Sequence, residues 1–307
     1  MIDVAIIIVS WNVRDYLSNC LRSVCPEINR PGLTGKIYVV DNRSTDGTVD
    51  LVRHLFPSVE LIANDDNVGF GTANNQGMVA AEAHKPRYYF LLNPDTVVQP
   101  GSIAKMVKFM DETPEAGLTG ARLLYGNGRF QHSAFRFPGI GQLVFDLFSI
   151  RPYRLYESRI NGRYPRRFYR PNRRPFTVDH TLGATMMVRA NVAEQTGGFD
   201  EAYALYCEEI DWSWRIRKAG WDIYAMPTVE ITHYGGESSK QAPIQSTIAL
   251  WRSRAQLYHQ HHGRLKAKLA TRLVTIGMTR KARRETDPAY QQAYLDIIDI
   301  WQGMNVK

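Results

Sequence analysis

Apolar runs and stretches of helical spacing alternate through the first half of the chain. Val4–Val9 (VAIIIV) is apolar throughout and predicts a strand buried on both faces, followed by a helix near Arg14–Val24. Lys36–Asn42 predicts a second strand. Ser44, Thr45 and Asp46 then supply capping side chains for a helix through Leu55. Val59–Asp65 reads as a third strand, Thr72–His84 as a helix, Tyr88–Leu92 as a fourth strand and Ser102–Glu112 as another helix. Pro94 has no amide hydrogen for a sheet ladder, so the fourth strand should stop at Asn93-Pro94-Asp95. Such alternation predicts an α/β fold, a mostly parallel sheet flanked by helices.

Beyond this half the pattern loosens. Arg151–Arg174 carries nine arginines, no lysine, and several tyrosines and prolines. That density fits a solvated loop, a phosphate grip or a membrane-surface contact. Regular structure returns at Leu182–Arg189, followed by a turn at Gly197-Gly198 and a strand near Trp221–Ala225. After Gly236 the pattern is helical. Leu265, Leu269, Leu273 and Ile276 form an apolar stripe among Lys266, Lys268 and Arg272. A stripe of this kind either packs on its own domain or lies on an anionic membrane surface. The chain thus divides into residues 1–238, with the arginine-rich excursion at 151–175, and a basic helical extension over 239–307.

The net charge of +8 over 307 residues adds an acidic partner to this picture: nucleic acid, anionic lipid or a phosphate-bearing substrate. Three cysteines without a CxxC pair fit a reducing compartment better than a disulfide framework or structural zinc. The start MIDVAIIIVSW lacks a basic flank, and no apolar run reaches the length of a membrane span. A cytoplasmic chain, peripheral at most on the membrane, is therefore expected.

The candidate chemistry collects after the strands. Ser10-Trp11-Asn12, Asp41-Asn42, Asn64-Asp65 and Asn93-Pro94-Asp95 follow the first four, where open α/β sheets bind ligands. Asp95 beside an Asn can help hold a hard divalent cation if substrate phosphates add oxygens. Glu208, Glu209 and Asp211 crowd the start of a helix that ends in Arg215, Arg217 and Lys218. The arrangement suits the helix dipole and also raises proton affinity, as a general base requires. His233 ends a strand before Gly235-Gly236 and is a candidate metal ligand. Asn67-Val68-Gly69-Phe70-Gly71 permits close backbone approach but is not the dinucleotide fingerprint, which disfavours a nicotinamide dehydrogenase.

Taken in order, VSWN, VVDNRSTDGT, NVGFGTANNQG, LLNPDT, GATMMVR, GGFDEAY, CEEIDWSWRIRKAGW and THYGG resemble family 2 of the inverting nucleotide-sugar glycosyltransferases with the GT-A fold. The rhamnosyltransferase-like branch, which builds cell-wall and surface polysaccharides, is the nearest in flavour. The resemblance spans about Val4 to Ser238. It implies that Ser10, Asn12 and Asp41 hold the nucleotide base and ribose, and that Asn67, Gly69 and Asn74 belong to the donor loop. It implies that Asp95 is the last acid of a DxD motif whose first acid is replaced by Asn93, and that His233 completes the shell of a divalent cation, Mg2+ or Mn2+. Glu209 stands where the family usually has the Asp base, accompanied by Asp211. The implied partners are a dTDP- or UDP-sugar donor and a saccharide or lipid-linked acceptor, with an anionic membrane surface open and no nucleic acid expected. The competing reading is a non-catalytic nucleotide-sugar or polysaccharide-binding module on the same fold. Retention of Asp95, Glu209 and His233 together argues against it.

Overall fold

The computed structural model describes residues 1–236 and 241–304. The expected boundary at 238/239 lies outside the described residues. The strands are β1 (Ile2–Ser10), β2 (Gly35–Asp41), β3 (Glu60–Ala63), β4 (Pro86–Leu92), β5 (Thr96–Val98), β6 (Ala116–Leu124), β7 (Phe130–Gln131), β8 (Ala134–Phe135), β9 (Phe176–Thr177), β10 (His180–Thr181), β11 (Thr185–Arg189) and β12 (Asp222–His233). The α-helices are α1 (Arg14–Ile28), α2 (Thr48–Leu55), α3 (Phe70–Ala81), α4 (Ser102–Glu112), α5 (Ile140–Leu147), α6 (Ala190–Thr196), α7 (Glu208–Lys218), α8 (Pro243–His261), α9 (Arg264–Ala282) and α10 (Pro288–Gly303).

The main sheet has the order β3-β2-β1-β4-β11-β6-β12-β5. β3, β2, β1, β4, β6 and β12 all point one way; β11 is inserted antiparallel between β4 and β6. The sheet is mixed with a parallel majority, and helices cover both faces. One face packs Ile6, Ile8 and Phe90 against Leu17, Leu21 and Met106; the other packs Ile7 and Leu91 with Met78 and Trp212. Burial on both faces explains the unbroken apolar runs of β1 and β4.

Two features depart from the sequence reading. β12 continues well past Ala225, through Pro227. The proline is accommodated because the β6 ladder is irregular between Met226 and Glu230, where a missing amide hydrogen breaks no bond. β6 itself went unread. Its glycines, Gly117 and Gly120, dilute the apolar signal, yet each lies tight against a neighbour: a Cβ at Gly117 would meet Trp221 at 2.6 Å.

The helices after residue 241 form a separate apolar cluster with α5. Leu143 and Leu147 pack with Trp251, Tyr258, Val274, Ile297 and Trp301. Among the described residues no helix is long and apolar enough to cross a membrane.

Candidate active site

A cavity of about 550 Å³ opens over the carboxyl ends of β1 and β4. This is where the strand order reverses, the expected ligand crevice of such a sheet. Of the residues singled out in the sequence, Asn67, Gly69, Asn93, Asp95, Glu209 and His233 line it. So do Trp11, Asn42, Gly183, Tyr206 and Glu208.

Asp95 and His233 lie 138 residues apart in sequence and meet through pairing. The short β5 runs antiparallel to the end of β12, with Thr96 opposite His233. His233 Nε2 lies 3.3 Å from Asp95 Oδ1, while the amide of Gly235 donates to Asp95 Oδ2 at 2.9 Å. Burial raises the Asp95 carboxyl, but the hydrogen bond and charge of His233 and the Gly235 amide outweigh it. The net shift is below the ordinary value, so the carboxylate stays charged. Gln131 Oε1 lies 3.1 Å from His233 Nδ1, an arrangement that fixes the ring.

Among the described residues no three His, Cys, Asp or Glu side chains gather into a ready metal cage. The pair nonetheless suits a hard cation that draws its remaining oxygens from a ligand's phosphates. Asn93 Oδ1, next to the pair, is buried without a partner. Buried polar atoms are normally satisfied, so an orphan here points to a ligand group.

Glu208 and Glu209 open α7 after two residues with positive φ, Tyr206 and Cys207. The left-handed turn brings both carboxyls to the cavity wall. Glu209 lies against Gly183: a Cβ there would sit 3.5 Å from that of Glu209. Burial pushes the Glu209 carboxyl up to about 7, against the lowering effect of the amides at the helix start. Glu208 is raised well above the ordinary value by burial and by the adjacent Glu209 charge, and its Oε2 has no partner.

Two expected site residues point elsewhere. Asn74 is absent from the cavity wall: it is buried within α3 and donates to the carbonyl of Phe70 at 2.9 Å. Asp211 is also absent from the cavity wall. One carboxylate oxygen accepts from His261 at 2.7 Å and Gln260 at 3.1 Å, the other from Arg215 at 2.8 Å. Asp211, two residues past Glu209, lies about 200° round the helix from it. Burial raises the Asp211 carboxyl, but the His261 hydrogen bond and the Arg215 charge outweigh it and hold the group below its ordinary value. Trp214 adds to the clamp by stacking between Phe137 at 4.1 Å and His261 at 4.6 Å. Asp211 thus ties α7 to α8 through Gln260 and His261.

Asp211→Asn is expected to destabilise the fold by about 3 kcal/mol, because it removes a buried carboxylate that pairs with Arg215 and accepts from Gln260 and His261. Urea unfolding checks this. A depressed carboxyl contributes stability above its unfolded pKa and loses it as pH falls through the folded one. The difference between wild type and variant should thus shrink below about pH 4.

Ser10, Asn12 and Asp41 sit just outside the cavity wall. Ser10 and Asp41 are register partners across β1 and β2, and Ser10 Oγ and Asp41 Oδ1 are buried orphans. Asp41 Oδ2 accepts from the Ser44 amide at 2.8 Å, and Asn12 Oδ1 from the Thr45 amide at 2.8 Å. Asn42 ties this corner to the 67–69 loop by donating to the Gly69 carbonyl at 3.1 Å. Gly69 has φ +88°, and a Cβ there would lie 2.8 Å from the Ala204 carbonyl oxygen, so only glycine fits.

The glycosyl transferase family 2 model matches residues 5–197, more than half of the chain. The chain belongs to glycosyl transferase family 2. Among curated relatives, the family 2 chain is 29% identical over 254 residues to the N-acetylglucosaminyl-diphospho-decaprenol L-rhamnosyltransferase of Mycobacterium tuberculosis, covering 80% of each. It is 24% identical to the rhamnosyltransferase WbbL of Escherichia coli, covering 77% of this chain and 85% of that one. Among solved structures, Staphylococcus aureus TarS in complex with UDP-GlcNAc superposes with TM-score 0.58 at 15% identity, over 97% of this chain and 80% of that one. GalNAc-T7 with UDP, GalNAc and Mn2+ gives TM-score 0.55 at 14% identity, over 76% and 43%. The fold is GT-A-like, and the family 2 chain is a glycosyltransferase.

Sequence reasoning overlooked Gln131 and His261, which carry no local signal and act only through distant partners.

Proposed function

We propose that this enzyme moves a sugar, rhamnose in the reading its relatives support, from a dTDP- or UDP-sugar to a saccharide or lipid-linked acceptor in cell-wall or surface polysaccharide synthesis. The transfer is a single inverting displacement. The acceptor hydroxyl oxygen bonds to the anomeric carbon, the bond from that carbon to the diphosphate oxygen breaks, and the nucleoside diphosphate leaves with its electron pair. Glu209 takes the hydroxyl proton. The observation that carries this reading is Glu209 itself: a carboxyl raised to about 7 that lines the same cavity as Asp95 and His233.

Asp95 and His233 would hold a divalent cation, Mg2+ or Mn2+, and Asn93 would add its free carbonyl oxygen on the same side. When bound, the cation supplies Lewis-acid charge neutralisation for the diphosphate. Asn67 and Gly69 line the donor side of the cavity. Ser10, Asn12 and Asp41 shape the corner for the base and ribose, with the orphan oxygens of Ser10 and Asp41 as candidate acceptors. We read residues 1–238 as the catalytic unit and 239–307 as an extension that braces it through His261. A lipid-linked acceptor would bring the enzyme to the cytoplasmic face of a membrane.

A donor screen tests the reading: dTDP, UDP and GDP, each with and without Mg2+ or Mn2+, followed by thermal unfolding. One nucleotide at about 100 times its Kd should stabilise the fold by about 2.7 kcal/mol, and only with the cation. No stabilisation by any pair would remove it. The pH profile is a second test. A base must be deprotonated to act, so kcat/KM should rise with pH through about 7 and then level off. A flat profile from pH 5 to 8 contradicts Glu209 as the base.

A further inference from the structure

α9 is amphipathic in the inverted sense. Its inward face is built from Ala267, Ala270, Thr271, Val274, Gly277 and Met278, of which all but the methionine are small or slender. These allow close packing, and a Cβ at Gly277 would meet the Leu147 side chain of α5 at 2.7 Å. The large aliphatic residues point away: Leu265 is 86% exposed, Leu269 47% and Ile276 58%. At about 100° per residue, Leu265, Leu269, Arg272 and Ile276 fall within an arc of about 60° opposite the buried face. Only Leu273, from the stripe read in the sequence, packs against the helical cluster. The stripe as a whole is not consumed by its own fold.

The charge on this helix is one-sided. Arg264, Lys266, Lys268, Arg272, Arg280 and Lys281 lie on α9, which carries no acidic residue. Lys268 and Arg280 flank the stripe, and no ion pair among the described residues engages Lys268, Arg272 or Arg280. Exposed aliphatics flanked by long basic side chains match the interface of an anionic bilayer, where apolar groups enter the acyl boundary and bases reach phosphates. A second copy of the same face would set bases against bases.

The arginine-rich excursion adds a second surface of the same chemistry. Tyr153 and Ile160 are exposed there among arginines, of which Arg163 and Arg166 pair with Glu157. The excursion is seated on α5, since a Cβ at Gly141 would lie 2.6 Å from the Ile160 carbonyl oxygen. α5 therefore carries both the excursion and α9.

We propose that the outward face of α9, with Leu265, Leu269 and Ile276 as the inserting residues, docks the enzyme on an anionic phospholipid surface. This deepens the proposed acceptor reading, because a lipid-linked acceptor is presented at such a surface. Its test reads vesicle binding rather than turnover, so the two readings fail separately.

The full chain is cosedimented with vesicles of phosphatidylcholine alone or mixed with phosphatidylglycerol. Binding is expected only with the anionic lipid. It should weaken between about 0.1 and 1 M salt, as the Debye length falls from about 10 Å to about 3 Å. The triple variant Leu265→Gln, Leu269→Gln, Ile276→Gln alters exposed positions only. It should keep the wild-type unfolding midpoint and its turnover on a soluble acceptor, yet bind vesicles about tenfold or more weakly. Arg272→Glu with Arg280→Glu should also reduce binding. Equal binding of wild type and triple variant overturns the proposal, as does no wild-type binding at low salt. A concentration-dependent dimer that the triple variant dissolves would assign the stripe to a second copy instead.

Discussion

Glu209→Gln is expected to lower kcat by about 100-fold or more while nucleoside diphosphate affinity stays within about twofold of wild type. The substitution keeps the shape and hydrogen-bonding capacity of the side chain and removes only its basicity. Calorimetry of diphosphate binding, run beside steady-state kinetics, separates the two effects. The three acids of α7 are distinguishable because their surroundings differ. Asp211 is locked behind the cavity by Arg215, Gln260 and His261, so its loss should appear first as lowered stability. Glu208 shares the cavity wall, where burial and the adjacent Glu209 charge raise its carboxyl well above the ordinary value. Glu208→Gln keeps the shape of the side chain and should reduce kcat far less than Glu209→Gln. If Glu208→Gln is the more damaging, the base is Glu208.

The second large effect concerns the cation. Chelation by EDTA, or Asp95→Ala in the presence of Mg2+ or Mn2+, is expected to weaken dTDP or UDP binding by about 100-fold. Asp95 is 5% exposed and its two oxygens already meet His233 and the Gly235 amide, so its position is fixed before any ligand arrives. Removing the carboxylate would leave His233 and a neutral amide, Asn93, to face a diphosphate alone. Calorimetry with and without metal reads the result directly. Equal affinity in both conditions would dissolve the proposed role of Asp95 and His233.

The first half of the fold is plain in the chain because β1, β2 and β4 are buried on both faces and their apolar runs are continuous. The strand tips were legible for the same reason: Pro94 ends β4 and sets Asp95 at its carboxyl end. Two separate strand signals, Trp221–Ala225 and the one ending at His233, belong to a single β12, because the irregular β6 ladder absorbs Pro227 between them. What joins Asp95 to His233, and Asp211 to His261, is the pairing of segments far apart in sequence, which no local pattern encodes. The same limit applied to α9. Periodicity showed its stripe, but only the packing of Ala270, Val274 and Gly277 against neighbouring helices reveals that Leu265, Leu269 and Ile276 face outward. Ser10, Asp41 and Asn93 were visible as polar residues after strands. That each keeps a buried oxygen without a partner could be learned only from the folded molecule.

The most direct measurement follows the anomeric proton by NMR while the enzyme, with Mg2+ or Mn2+, acts on dTDP-rhamnose or a UDP-sugar and a saccharide acceptor. Transfer by a single displacement with Glu209 as base should give a product of anomeric configuration opposite to the donor, and Glu209→Gln should form almost none. A product that keeps the donor's configuration, or one formed at the wild-type rate by Glu209→Gln, would contradict the mechanism.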